Sequence, residues 1–148
     1  MGRPPRGPPN LYTGNVMTMA HAAAGAAIAQ GTRSRVRGAL AAVAAHALLD
    51  LPRHEDLDRT REGVLTLTTI GACASLFGLR SREFWCAFLC SCPDLEHVFR
   101  PNRRAFFPTH RFGRLHGLLP TPMATAPMQV AAAGATLAIL AARRRQTA

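Results

Sequence analysis

Two segments of the sequence combine imidazoles with carboxylates at spacings that suit metal binding. In HALLDLPRHED, His46 and Asp50 are four residues apart, so on a helix their side chains lie on one face. Such a pair can bind one cation, or the carboxylate can orient the imidazole that does. His54 and Asp56 follow Pro52, where the helix ends and the chain can turn back. The alternative is a solvated charged segment, but a carboxylate among leucines is expensive to bury without a partner.

The second segment, PDLEH, places Asp94 and His97 three residues apart, again on one helical face, while Glu96 points elsewhere. Pro93 suits a first helical position, where Asp94 would interact favourably with the helix N-terminus. Helix capping therefore explains Asp94 without a metal ion, but it does not explain His97.

Two further segments contribute histidines. In FPTHRFGRLHG, His110 and His116 lie on either side of Gly113, which suits a turn, and they can converge on an ion or on an anionic substrate. His21 lies in the Ala-rich segment MTMAHAAAGAA, where a histidine is costly inside a membrane unless it has a partner or a function. Gly25, one turn later, lets a neighbouring helix approach closely.

Together these segments offer more ligands than one ion needs. The candidates are His21, His46, Asp50, His54, Asp94, His97, His110 and His116. A zinc site takes three or four ligands and, if catalytic, an open position for water; two ions are the alternative. In either case the ion lowers the pKa of bound water to about 7 and supplies hydroxide. Glu96 and Asp56 are the candidates for a general base, and the sequence does not choose between them.

The elements that must position these side chains are predicted to be helices. Ala and Leu dominate the apolar residues, and β-branched residues never alternate as strands require. We expect an all-α fold, a small bundle of about four to five helices. The predicted helices cover about 16–30, 36–51, 63–79, 83–92 and 123–142, the fourth ending at Pro93. The charged residues 53–62 are expected at the surface.

The chain of 148 residues has the length of one domain. Residues 1–15 are rich in Pro and Gly and are expected to form a mobile, disordered extension. Residues 16–142 form the predicted helical domain, and 143–148 a basic C-terminal tail. The four cysteines form no CxxC pair, so we expect buried apolar thiols rather than a zinc ribbon.

Two uncharged runs predict association with the cell membrane. Residues 63–79 carry no charge and are flanked by arginines, and 123–142 ends in an arginine cluster, which is typical of a stop at a membrane surface. The alternative is a set of Ala-rich packing helices in a soluble bundle, which the mean hydropathy of +0.04 favours. Arginines occur in nearly every loop, so they do not orient the chain in the membrane.

The net charge is +10, and all eighteen basic residues are arginine. This charge favours anionic partners, either lipid head groups or nucleic acid. Nucleic acid is disfavoured because a single Tyr and a single Trp give little stacking surface and no binding motif is present. We therefore expect membrane lipid and an anionic small-molecule or lipid substrate as partners.

Over residues 17–118 the chain resembles the bacterial membrane-bound metal-dependent hydrolases. The resemblance is carried by His21 and by the three segments that follow it, HALLDLPRHED, PDLEHVF and FPTHRFGRLHG. The members of that family are small helical membrane proteins with an H-x-x-x-D helix, a PD-x-[DE]-H turn and a late His-containing segment. The resemblance implies the ligands His46, Asp50, Asp94, His110 and His116, with His21, His54 and His97 as accessory residues. The order differs, because in that family the PD motif precedes the H-x-x-x-D helix and here it follows it.

The resulting hypothesis is a metal-dependent hydrolase at the membrane, in which metal-activated water attacks a phosphoester or a lipid-like substrate. Zinc is the expected cofactor and manganese the alternative. Arg111 and Arg114 would bind the anionic part of the substrate. The competing hypothesis is a non-enzymatic helical membrane protein with a structural metal ion, and an open coordination position would distinguish the enzyme from it.

Overall fold

The computed structural model describes residues 18–54, 57–99, 107 and 118–147. These form five helices: α1 (Thr18–Gly31), α2 (Arg35–Leu49), α3 (Arg59–Phe77), α4 (Arg82–Phe99) and α5 (Ala126–Thr147). The prediction of a small all-α bundle is confirmed. The predicted extension 1–15 lies outside the described residues, and the predicted basic tail is helical as far as Thr147.

Polar side chains and one glycine set where the helices begin and end. The hydroxyl of Ser34 and the carboxylate of Asp58 accept hydrogen bonds from backbone N–H groups in the first turns of α2 and α3, and Ser81 does the same for α4. Gly78 ends α3 with a φ of 81°, a conformation that other residues rarely adopt. These caps mark where α2, α3 and α4 begin and where α3 ends.

Helix α1 lies at the centre of the bundle and contacts each of the other four described helices. Its inner positions are mostly alanines, which let the neighbouring backbones approach closely. A Cβ atom on Gly25 would lie 2.3 Å from the carbonyl oxygen of Cys86 and 2.8 Å from the Cβ of Cys90, so no larger residue fits. The predicted close approach at Gly25 is therefore confirmed, and the approaching helix is α4.

Helix α4 does not end at Pro93, as predicted, but continues through it to Phe99. Proline has no N–H, so the helix lacks the backbone hydrogen bond to the carbonyl of Leu89, and packing against α1 and α2 holds it together. The prediction was wrong because it assigned the helix end from local sequence alone. One consequence is that Asp94 lies well inside the helix, so capping no longer explains it.

Two short strands, which the sequence pattern does not indicate, pair in parallel. Strand β1 (Pro52–His54) follows α2 directly, and β2 (Leu119–Ala124) precedes α5. The N–H of Leu119 also donates to the carbonyl of Leu51, 2.9 Å away. Neither strand alternates apolar and polar residues, so tertiary contact rather than periodicity produces them. The pairing anchors the chain just beyond Asp50.

Replacing Gly25 with alanine should lower the stability of the bundle, because the added methyl group collides with the α4 backbone. We expect a loss of about 1–3 kcal/mol, detected as earlier thermal unfolding by circular dichroism in detergent. The matched control is Gly71→Ala in α3, where nothing lies within 4 Å of the new Cβ and helix propensity improves. Equal effects of the two substitutions would show that α1 and α4 do not pack this closely.

Candidate metal centre

Four titratable side chains from three helices meet in the interior of the bundle. His21 comes from α1, His46 from the last turn of α2, Asp50 from the position that caps α2, and Asp94 from α4. None of the four is more than 3% exposed to solvent. The spacing of His46 and Asp50 places both on the inner face of α2, and the close approach at Gly25 brings α4 within reach of α1.

Nitrogen and oxygen atoms of these side chains face one another at short range. The Nε2 atom of His46 lies 3.3 Å from a carboxylate oxygen of Asp50 and 3.7 Å from one of Asp94. On His21, Nδ1 lies 3.0 Å from Asp94 and Nε2 lies 3.5 Å from Asp50. One ligand atom each from His21, His46 and Asp94 falls within 4.8 Å of the others. Two ligands bound to a tetrahedral zinc ion at about 2.0 Å are about 3.3 Å apart, so these separations suit a metal site.

Hydrogen bonding determines which nitrogen of His46 is available to a cation. Its Nδ1 atom lies 2.9 Å from the carbonyl oxygen of Cys90 and 2.7 Å from Nδ1 of His21. A carbonyl oxygen only accepts, so Nδ1 of His46 carries the hydrogen and donates it. In the neutral imidazole this leaves a lone pair on Nε2, the ring nitrogen that faces Asp50 and Asp94. A cation between this nitrogen and the carboxylates, either a proton or a metal ion, would remove the repulsion between their lone pairs.

The contact between His46 and Cys90 matches the way metal-binding histidines are usually held. The second ring nitrogen donates to a backbone carbonyl, which sets the orientation of the ring. Burial, and then the negative charges of Asp94 and Asp50, raise the pKa of the Cys90 thiol to about 12. The three ligand atoms that lie close enough to share one ion are nitrogen and oxygen atoms, from His21, His46 and Asp94.

A third buried carboxylate, Glu62, supports the site from α3, although residues 53–62 were predicted at the surface. Glu62 is 2% exposed, and its carboxylate accepts a hydrogen bond from the N–H of Thr18, the first residue of α1. The carbonyl of Thr18 in turn accepts from the hydroxyl of Ser91 on α4, 3.3 Å away. These contacts fix the start of α1, one turn before His21. The sequence does contain a signal for the burial of Glu62, because Glu62 forms a polar stripe with Thr66 and Thr69, one and two turns later on the same helix.

The remaining predicted site residues lie only partly within the described structure. Glu96, a candidate base on α4, is half-buried, and its carboxylate accepts from the N–H of Phe107, 3.3 Å away. His54 lies on β1, and His97 lies on α4. Outside the described residues are Asp56, His110, Arg111, Arg114 and His116. His21, predicted as an accessory residue, contacts both carboxylates and belongs to the centre of the cluster.

Comparison with protein-family models, with curated proteins and with solved structures gave no match. The resemblance to the membrane-bound hydrolases therefore stays a prediction from short motifs. What the geometry establishes is a buried group of two imidazoles and two carboxylates, three of which can hold one metal ion.

Glu62→Leu should destabilise the bundle by about 1–3 kcal/mol, because the N–H of Thr18 then loses its acceptor in buried surroundings. Glu62→Gln should retain most of the stability, since its side-chain oxygen still accepts. Thermal unfolding measures the loss, and faster amide hydrogen exchange in the first turn of α1 locates it. Identical stability and exchange in all three proteins would contradict this role.

Proposed function

We propose that the protein is a membrane-associated metal-dependent hydrolase, whose ion is bound by His21, His46 and Asp94 with Asp50 beside them. The observation that carries the proposal is the convergence of two imidazoles and a carboxylate within 4.8 Å in the interior, with a second carboxylate near both rings. Burying two carboxylates is costly unless a cation is shared among the groups around them. A divalent metal ion meets that requirement.

Zinc is the proposed ion. Imidazole nitrogen and carboxylate oxygen at these separations suit its tetrahedral preference, whereas manganese favours more oxygen ligands. Three protein ligands would leave the fourth position to water, which is the arrangement of catalytic zinc sites. If Asp50 occupies that position instead, the site has four protein ligands and is structural.

A zinc ion in this position would supply hydroxide at neutral pH by lowering the pKa of bound water to about 7. Hydrolysis of a phosphoester forms a new phosphorus–oxygen bond, breaks the bond to the alcohol oxygen and transfers a proton to the departing alcohol. Glu96 and Asp56 are the proposed candidates for a general base that takes the proton of the attacking water. Glu96 lies two residues after Asp94 on α4, so the two side chains do not share a helical face, and its carboxylate accepts from the N–H of Phe107. Arg111 and Arg114 are proposed to bind the anionic group.

The surface of the bundle supports the membrane part of the proposal. Val36, Leu40 and Val43 form a stripe of large apolar side chains along α2 and are 68%, 67% and 44% exposed. Among the described helices α5 is long and apolar enough to cross a bilayer, and only 22% of its apolar stretch is buried. We infer that the exposed sides of α2 and α5 contact lipid.

A structural metal ion in a non-enzymatic membrane protein is the second candidate function. The near-complete burial of all four side chains favours it, because a catalytic ion must admit water and substrate. Such an ion would join α1, α2 and α4 and stabilise the bundle without turning over a substrate.

Metal analysis of the full chain purified in detergent tests the proposal, and we expect about one equivalent of zinc. Asp94→Asn keeps the shape of the side chain but removes its charge, and His46→Ala removes a ring; each should weaken zinc binding by more than about 100-fold. Thr69→Ala is the matched control, since it removes a buried hydroxyl that donates to the carbonyl of Leu65 within α3, and it should retain the metal. A wild-type protein without bound metal after incubation with zinc would overturn the proposal.

The same proteins separate the two candidate functions. A hydrolase should cleave bis(p-nitrophenyl) phosphate or a phospholipid in the wild-type and Thr69→Ala forms and not in Asp94→Asn. A structural ion should leave all three inactive, while removal of zinc by a chelator lowers the unfolding temperature of the wild type.

A further inference from the structure

Five helix ends meet at the end of the bundle remote from the metal centre. The guanidinium of Arg82 donates to the carbonyl of Thr32, which joins the start of α4 to the end of α1. Arg144 of α5 donates to the carbonyl of Phe77, 2.5 Å away at the end of α3. Helix α2 begins beside Thr32, whose hydroxyl lies close to Gly38. This end is about 16 Å along α1 from His21.

This basic end, residues 31–37, 78–83 and 143–145, concentrates the charge of the protein. Its arginines are Arg33, Arg35, Arg37, Arg80, Arg82, Arg143, Arg144 and Arg145. Glu83 is its sole carboxylate, so eight arginines and one glutamate give this end a net charge of +7 out of +10 for the chain. A surface of this charge attracts anions.

A cavity of about 410 Å³ lies at the basic end between α2 and α4. Three of its lining residues are the arginines Arg35, Arg80 and Arg82, and most of the others are apolar, including Trp85 and Leu89. The volume is within the range of small-ligand sites. The cavity thus offers guanidinium groups and an apolar wall to the same ligand.

The arginines of the cavity are arranged to bind phosphate. Guanidinium groups form paired hydrogen bonds to phosphate oxygens. Arg35 and Arg82 are also the first residues of α2 and α4, where the partial positive charge of a helix N-terminus adds to their own. The contact of Arg82 with Thr32 holds one of the three guanidinium groups in place.

The apolar part of the cavity favours a lipid over a free anion. Trp85 is 51% exposed, and half-exposed tryptophans are typical of the membrane–water interface. The exposed stripe of Val36, Leu40 and Val43 begins next to Arg35 and runs away along α2. A phosphate bound to the arginines would therefore have an apolar path beside it for an acyl chain.

We propose that the cavity between α2 and α4 binds the head group of an anionic phospholipid, with its acyl chains along the apolar stripe of α2. This inference rests on the membrane part of the proposed function and is independent of the metal centre. The lipid would hold the basic end at the head-group level of the bilayer.

Fluorescence of Trp85 tests the inference, because it is the single tryptophan of the chain and lines the cavity. Full-length protein in detergent is titrated with dioleoyl phosphatidylglycerol or with dioleoyl phosphatidylcholine in mixed micelles. We expect a saturable change with phosphatidylglycerol and none with phosphatidylcholine. Arg35→Gln/Arg80→Gln should weaken binding by about tenfold or more. The charge-matched control Arg33→Gln/Arg37→Gln alters two exposed arginines outside the cavity and should change binding by less than about threefold.

Several outcomes would overturn the inference. Equal responses to the two lipids, or equal losses in the two double variants, would show that the cavity is not a lipid site. Displacement by millimolar inorganic phosphate would identify a free-anion site, and displacement by a single-stranded oligonucleotide would identify a nucleic-acid surface. Zinc content, measured on the same samples, should be unchanged in Arg35→Gln/Arg80→Gln. A failure of the lipid site can thereby be told apart from a failure of the metal centre. Protein recovered from the soluble fraction without detergent would contradict both the proposed membrane association and the proposed lipid site.

Discussion

Asp50 and Asp94 bring two carboxylates into the interior of a small helical bundle, although each would be far more stable in water. Buried carboxylates persist beside cationic or hydrogen-bonding groups, and the rings of His21 and His46 lie within 3.7 Å of them. To place the two imidazole rings beside the two carboxylates, α1, α2 and α4 must converge at one level of the bundle. A cation shared by the four side chains, either a proton or the proposed metal ion, would account for both the convergence and the burial.

Close convergence requires small residues between the helices, and this shapes the rest of the core. Gly25 meets the α4 backbone directly, and alanines occupy most of the neighbouring buried positions. Alanine buries little apolar area, so the hydrophobic effect in the interior contributes less than in a leucine-rich core. The larger apolar side chains of α2 face outward instead. A bound ion in the interior and lipid around the bundle would each add stability that the alanine-rich core does not provide.

Local patterns were sufficient for the presence of the five described helices and for one pair in the site. The four-residue spacing of His46 and Asp50 needs only a helix to bring the side chains together. The position of His21 beside Asp94 depends instead on how closely α1 and α4 approach, which no local spacing reveals. The burial of Glu62 was missed for the same reason, because its charged neighbours in sequence suggest solvent whereas its partner is the start of α1. The continuation of α4 through Pro93 likewise depends on the helices packed around it.

X-ray absorption at the zinc edge of the zinc-loaded full chain identifies the atoms that hold the ion. We expect only nitrogen and oxygen neighbours, at about 2.0–2.1 Å, with scattering from two imidazoles. A sulfur shell at about 2.3 Å would place the ion on a cysteine rather than on His21 and His46, and would contradict the proposed site. A first shell with one imidazole or none would contradict it equally.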